Sequence, residues 1–178
     1  MSVSPLAPAG QLALDVEALR KASRTARERN RDMAEMLAEE SGCQPEAAAR
    51  AVASALGLQF VTVDRLAALA PDFDLLPLTD CLRRDCALVH DGSGDEDVLL
   101  ALVTDPFDND LLDWLAARVP AAFGLRLIWR EDLRAFLSAN EQSQALVASL
   151  LRKGEGRPEE AHAEEISLQQ IAGDENEI

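Results

Sequence analysis

Apolar and polar positions change period several times along this chain, and the clearest change lies between residues 98 and 129. Residues 98–103, VLLALV, form an uncharged apolar run of strand length. Asp105 and Pro106 end it, because proline has no N–H for a ladder and biases the preceding residue towards extended backbone. Asp108 or Asn109 then offers a side-chain oxygen to cap a helix, in which Leu111, Leu112 and Leu115 recur at helical spacing. Residues 125–129 return to an apolar run. The unit reads strand, Asp-Pro turn, helix, strand. It is a β-α-β crossover, expected to be right-handed with its two strands parallel.

Residues 1–10 hold prolines and small residues and read as a disordered lead. A helical period begins at Leu12 and runs to residue 29. Leu12, Val16 and Leu19 share one face, and Arg20, Arg24 and Arg27 another. Residues 32–40 predict a second helix with Met33, Met36 and Leu37 inward, closed by Gly42. Pro45 suits the first turn of a third helix, with Ala47, Val52, Ala55 and Leu56 as buried candidates and Gly57 as its stop. Residues 58–63, LQFVTV, alternate and predict a short edge strand. Asp64 caps a short helix over 65–70, which Pro71 breaks, and another covers 78–84. Residues 86–90 and 97–103 form an antiparallel hairpin around the turn-rich DGSGDE. Two closing helices are expected over 131–137 and 142–151. The fold class is α+β or α/β. A helical part (residues 11–57) precedes a small α/β sandwich (58–152) with a mixed sheet of three to four strands. A flexible acidic tail (153–178) follows.

Composition narrows the function. The chain has 178 residues and a formal net charge of −15, which opposes nucleic-acid binding and attraction to anionic lipid. No apolar run approaches the roughly 20 residues of a membrane helix, and the first residues lack the basic start and apolar core of a signal peptide. Cys43, Cys81 and Cys86 form no CxxC pair and read as reduced thiols in a cytoplasm. Against the acidic background, residues 1–30 hold five basic and three acidic residues. The helix there is either a solvated face or a docking helix that offers an apolar stripe and a basic edge to a partner. Residues 153–178 hold eight acidic and two basic residues and no aromatic one, which marks a linker. Their end suggests that the native protein continues past Ile178.

Candidate chemistry is sparse. There is no GxxxxGK[ST] phosphate loop, no GxSxG and no HExxH. His90 and His162 have no catalytic or metal-binding context. Cys81 and Cys86 read as core thiols. Asp105, Asp108 and Asp110 lack the spacing of a calcium loop and read as turn and cap residues. No catalytic, cofactor or metal site is expected, and the chain is not expected to be an enzyme.

The ordered set ALGLQFVTVDRL, LLP, hairpin and LLALVTDPFDNDLLDWL resembles the N-terminal domain of the type II secretion and type IV pilus assembly ATPases, the GspE-like family. The matching positions are Leu56-Gly57, Leu76-Pro77, and Asp105-Pro106 with Asp108, and the likeness covers about residues 31–140. The resemblance implies a domain that docks a cytoplasmic hexameric ATPase on an inner-membrane platform protein. Its partners would be the cytoplasmic domain of that platform and the ATPase core beyond residue 178. That core, and not this chain, would hold ATP and magnesium. Localisation would be cytoplasmic and peripheral to the inner membrane, with no membrane insertion and a monomeric isolated domain. The alternative is cyclic di-GMP sensing, which some relatives perform through helical repeats containing Arg-Leu-Gly. Aligned on Gly42, this chain has Met33, Ala34 and Glu35 there, without the arginine that stacks on guanine. The partner-binding candidates are Leu12, Val16, Leu19, Arg20, Arg24 and Arg27, and the structural turn is Asp105, Pro106 and Asp108.

Overall fold

The computed structural model describes residues 15–94 and 97–154, the last two by backbone alone. The lead over residues 1–10, Leu12 and the tail after residue 154 lie outside the described residues. Two compact units are present, Met1–Ser138 and Ala139–Ile178.

The first unit is built on a mixed sheet of five strands: β1 (Gln59–Val61), β2 (Ala70–Pro71), β3 (Cys86–Asp91), β4 (Val98–Val103) and β5 (Gly124–Ile128), in the order β1-β5-β4-β3-β2. β3 and β4 form the antiparallel hairpin, with Cys86 opposite Val103. β4 and β5 run parallel, with Val103 level with Leu127, as a crossover through a helix requires. β1 is an edge strand, parallel to β5. The strand beyond the expected count is β2, whose two residues pair with Val89 and His90. Pro71 does not end a helix as expected: the helix before it, Val63–Leu66, stops before the proline is reached, and Pro71 sits instead on the sheet edge, where a missing N–H is tolerated.

Seven helices surround the strands among the described residues: α1 (Val16–Glu28), α2 (Met33–Ser41), α3 (Pro45–Ala55), α4 (Val63–Leu66), α5 (Leu78–Arg84), α6 (Asn109–Arg118) and α7 (Arg130–Gly154). α1 packs on α2, α2 on α3, and α3 on β1 and β5. α3 buries Ala48, Ala49, Val52 and Ala53, whereas Ala47 and Ala55 are exposed. In a helix this rich in alanine the apolar period does not single out one face. The short α4 is capped by Thr62, whose Oγ1 accepts from the Arg65 N–H, rather than by Asp64. The two expected closing helices are one helix, α7, because 138–141, SANE, contains no residue that stops a helix. Leu133 and Leu137 of α7 are fully buried.

The core is continuous from α1 to α7 and centres on β3, β4 and β5, where Leu88, Leu102, Val103, Leu127 and Ile128 are almost completely buried. Cys81 and Cys86 belong to it as free thiols, and burial pushes both up to about 12. They are protonated core residues and poor nucleophiles.

One carboxylate among the described residues, Asp32, is buried, and both of its oxygens are used. Asp32 caps α2, accepting from the Ala34 and Glu35 N–H groups at 2.8 and 3.1 Å. Its other oxygen lies 3.2 Å from Arg130 Nε, which is also 3.3 Å from Asp85. Arg134 closes the group with two hydrogen bonds to Asp85. Arg130 Nε is close to both carboxylates but aligned with neither as a hydrogen bond, so its contribution is that of an ion pair. At the other sheet edge His90 Nε2 lies 2.9 Å from Asp72, and Nδ1 lies 2.7 Å from Asp97.

Asp32→Ala removes a buried cap and leaves Arg130 short of a partner. It is expected to cost about 3 kcal/mol in denaturant unfolding, and Asp32→Asn, which keeps a cap oxygen, less. The His90 pKa is raised, first by the hydrogen bond to Asp72, so its stabilisation is fully present below the ordinary histidine value. That stabilisation fades as pH rises through the raised one. The Asp72 pKa is lowered, first by the Leu75 N–H and then by His90, so its contribution fades only in acid. Melting temperatures from about pH 6 to about pH 9 should fall in the wild type and stay flatter in His90→Asn.

Candidate functional site

α1 carries every described candidate for partner binding, and the Asp-Pro turn fixes its position. Leu19, Ser23 and Ala26 recur at helical spacing and are all buried. Ser23 is the polar member of that stripe. Its Oγ donates to Asp105 Oδ2 at 2.6 Å. Asp105 Oδ1 accepts from the Phe107 N–H at 2.9 Å, which closes the turn around Pro106. Asp108 caps α6, accepting from the Leu111 N–H at 3.1 Å. The turn therefore holds two carboxylates pointing at α1.

Arg27 answers both. Its Nη1 lies 3.3 Å from Asp108, its Nη2 donates to the Phe107 carbonyl at 2.9 Å, and its Nε lies 3.7 Å from Asp105. Ser23, Arg27, Asp105 and Asp108 thus form one polar lock between a helix and a turn about eighty residues apart in sequence. The Arg27 side chain is 43% exposed, so the bond made by the buried Ser23 hydroxyl is the stronger anchor.

This geometry redistributes the candidate residues. Leu19 is fully buried: it faces the chain's own core and cannot serve as an outward anchor. Val16, on the same apolar stripe, is 41% exposed, because the stripe runs off the end of the core. Arg27 is tied to the turn. Arg20 and Arg24 remain outward, and Leu12 lies outside the described residues. Asp105 and Asp108 take the turn and cap roles expected of them, and also receive α1.

Arg20 and Arg24 flank a shallow cavity of about 330 Å³ with Leu56, Leu58, Phe107 and Leu125 along its walls. The Arg20 guanidinium lies over the Phe107 ring, 5.7 Å from its centroid, within range of a cation–π contact. Cationic groups over an apolar floor suit an anionic partner with an apolar body. A second cavity of about 350 Å³ lies beyond the carboxyl end of β4, with Arg27, Arg31, Arg84 and Arg130 beside Asp85 and Asp105. Arg84 there stacks on Trp114 at 4.1 Å. Among the described residues no group of three or more His, Cys, Asp and Glu could hold a metal ion, and no helix is long and apolar enough to cross a membrane.

No protein-family model and no curated protein matches the chain. A solved structure does: "Structure of MshE with cdg", at a TM-score of 0.50 and 18% sequence identity, covering 71% of this chain and 89% of that one. That likeness is one of fold: the chain shares the fold of the matched part of that structure. MshE is an ATPase of the type IV pilus and type II secretion family, and its structure holds cyclic di-GMP.

Sequence reasoning missed Ser23 and Phe107. A serine four residues after Leu19 and three before Ala26 is a polar residue in an apolar stripe, and that signal was readable. Phe107 sits inside the Asp-Pro turn, where nothing in its spacing gives its direction.

Ser23→Ala and Asp105→Ala should each lower stability by about 1–3 kcal/mol, the first by taking a partner from the half-buried Asp105 and the second by stranding the buried Ser23 hydroxyl. In a double-mutant cycle by urea unfolding the two losses should not add, because both remove the same bond. Strict additivity would mean that the bond contributes nothing.

Proposed function

We propose that this chain is a non-catalytic docking domain of a secretion or pilus ATPase, and that it receives an acidic surface of an inner-membrane platform protein on the outer face of α1. One observation carries the reading: Arg20 and Arg24 stand outward beside Phe107, on a helix anchored from behind, in a chain of net charge −15. Complementary charge chiefly speeds encounter and sets specificity. The anchored helix adds the benefit of a preformed surface, because little conformational freedom is lost on binding. Val16 and the Phe107 ring provide the apolar contact that charge alone lacks.

A second reading, cyclic di-GMP sensing, is favoured by the fold shared with MshE, which was solved with that nucleotide. Arginines beside an aromatic ring are also suited to phosphates and a stacked base. The residues aligned with Arg-Leu-Gly, Met33, Ala34 and Glu35, weigh against it. Met33 and Ala34 are buried, so neither offers a group to a nucleotide.

One pair of titrations separates the two. Arg20→Glu with Arg24→Glu should leave the melting curve in place. It should weaken binding to the platform's cytoplasmic domain on the order of tenfold at low salt, and by less at high salt, where screening already removes part of the attraction. Calorimetry with cyclic di-GMP should show no heat of binding. Platform binding untouched by the double substitution would contradict docking through α1, and saturable nucleotide heat abolished by it would establish the second reading.

A further inference from the structure

The second compact unit poses a separate question. Leu146, Val147, Leu150 and Leu151 of α7 are 55–66% exposed, and they are four of the seven large apolar side chains exposed among the described residues. They lie within two helical turns and form one patch, since 3.6 residues per turn brings i, i+1, i+4 and i+5 together. Ser143, Val147, Leu150 and Gly154 follow each other at spacings of four, three and four, the seam of a helix pair. Leu146 and Leu151 flank that seam on its two sides.

We propose that this patch pairs with the same patch of a second copy of the chain, as an antiparallel helix dimer. Three features select a second copy. The pattern reads alike from either end: two large apolar residues, two small ones (Ala148 and Ser149), two large apolar residues. Such a segment is self-complementary about a two-fold axis midway between Ala148 and Ser149. Val147 of each copy then stands level with Leu150 of the other. Second, the seam face carries no charge. Glu141 and Arg152, the charged residues between 139 and 152, fall on the opposite side of the helix, so the contact itself sets no like charges against each other and only the general repulsion of two chains of net charge −15 opposes it. Third, antiparallel pairing opposes the helix dipoles, which a parallel pair would align. Four side chains per copy form a small interface of the weak, reversible class. The dimer is expected to build up only at high concentration, and to strengthen with salt as the general repulsion is screened.

The test is sedimentation equilibrium on the full chain from micromolar to millimolar concentration. The wild type should move from monomer to dimer. Val147→Glu with Leu150→Glu should stay monomeric with an unchanged circular dichroism spectrum. Val63→Glu, a charge placed on another exposed valine that is 56% accessible, should dimerise as the wild type does. Orientation is tested by mixing Val147→Lys with Leu150→Glu. Each alone should lose dimerisation at least tenfold. The mixture should recover it, because antiparallel pairing sets Lys opposite Glu at one end and restores the Val147–Leu150 contact at the other. A wild type that stays monomeric to millimolar concentration would overturn the proposal and leave the patch to another protein or to residues after 154. So would a dimer indifferent to the double Glu variant, or a mixture that does not recover.

Discussion

A single short hydrogen bond, from Ser23 in the buried face of α1 to Asp105 in the Asp-Pro turn, decides what kind of surface this protein presents. Asp105 cannot serve both turn and helix unless Pro106 bends the chain to aim one oxygen back at Phe107 and the other at Ser23. Once made, the bond sets the rotation of α1. Leu19 and Ala26 must then enter the core, Arg27 must reach the turn, and Arg20 and Arg24 must point outward. A helix chosen only by its apolar stripe would have some freedom to roll, since Val16 lies at the stripe's exposed end. A directional polar contact at a buried hydroxyl removes that freedom, because a rolled helix would strand the Ser23 hydroxyl inside the core and leave the half-buried Asp105 without it.

The same device appears at the start of α2. Asp32 caps that helix with one oxygen and holds Arg130 near the other, and Asp85, in the left-handed conformation after α5, binds Arg130 and Arg134. Both junctions use a carboxylate that first satisfies backbone N–H groups locally and then receives a distant arginine or serine. The helical part and the sheet are joined through such residues at the ends of elements, around an apolar core that runs without a break beneath them. That continuity explains why the chain from α1 to the first turns of α7 forms one unit.

The fold was legible where period and punctuation agreed. An uncharged run, a proline, a cap and a returning run dictated β4, α6 and β5, and the hairpin followed from DGSGDE between two strand-like runs. α5 matched its expected span, 78–84, because Pro77 and the left-handed Asp85 bound it on both sides. Less was legible where chemistry was uniform. The alanines of α3 hid its buried face, and β2 is a pair of edge residues defined only by its partner strand. At the candidate site the charge of α1 was visible, but its rotation was not. Leu19 and Val16 look equivalent in sequence, yet Leu19 is buried and Val16 lies where the stripe passes the end of the core, and the tie that sets the helix's rotation is a carboxylate in a turn about eighty residues from Ser23.

The functional reading depends on α1 being part of the folded body rather than an appendage. Hydrogen exchange followed by mass spectrometry or NMR, on the unmodified chain, tests this directly. If the Ser23–Asp105 lock holds α1 in place, the amides of residues 20–28 exchange only through openings shared with α2 and β4, with protection well above that of an isolated helix of thirteen residues, which is marginal in water. Amides of α1 that exchange as fast as those of an unfolded peptide, while β4 and β5 stay protected, would show the helix swinging free and would contradict the account at its base.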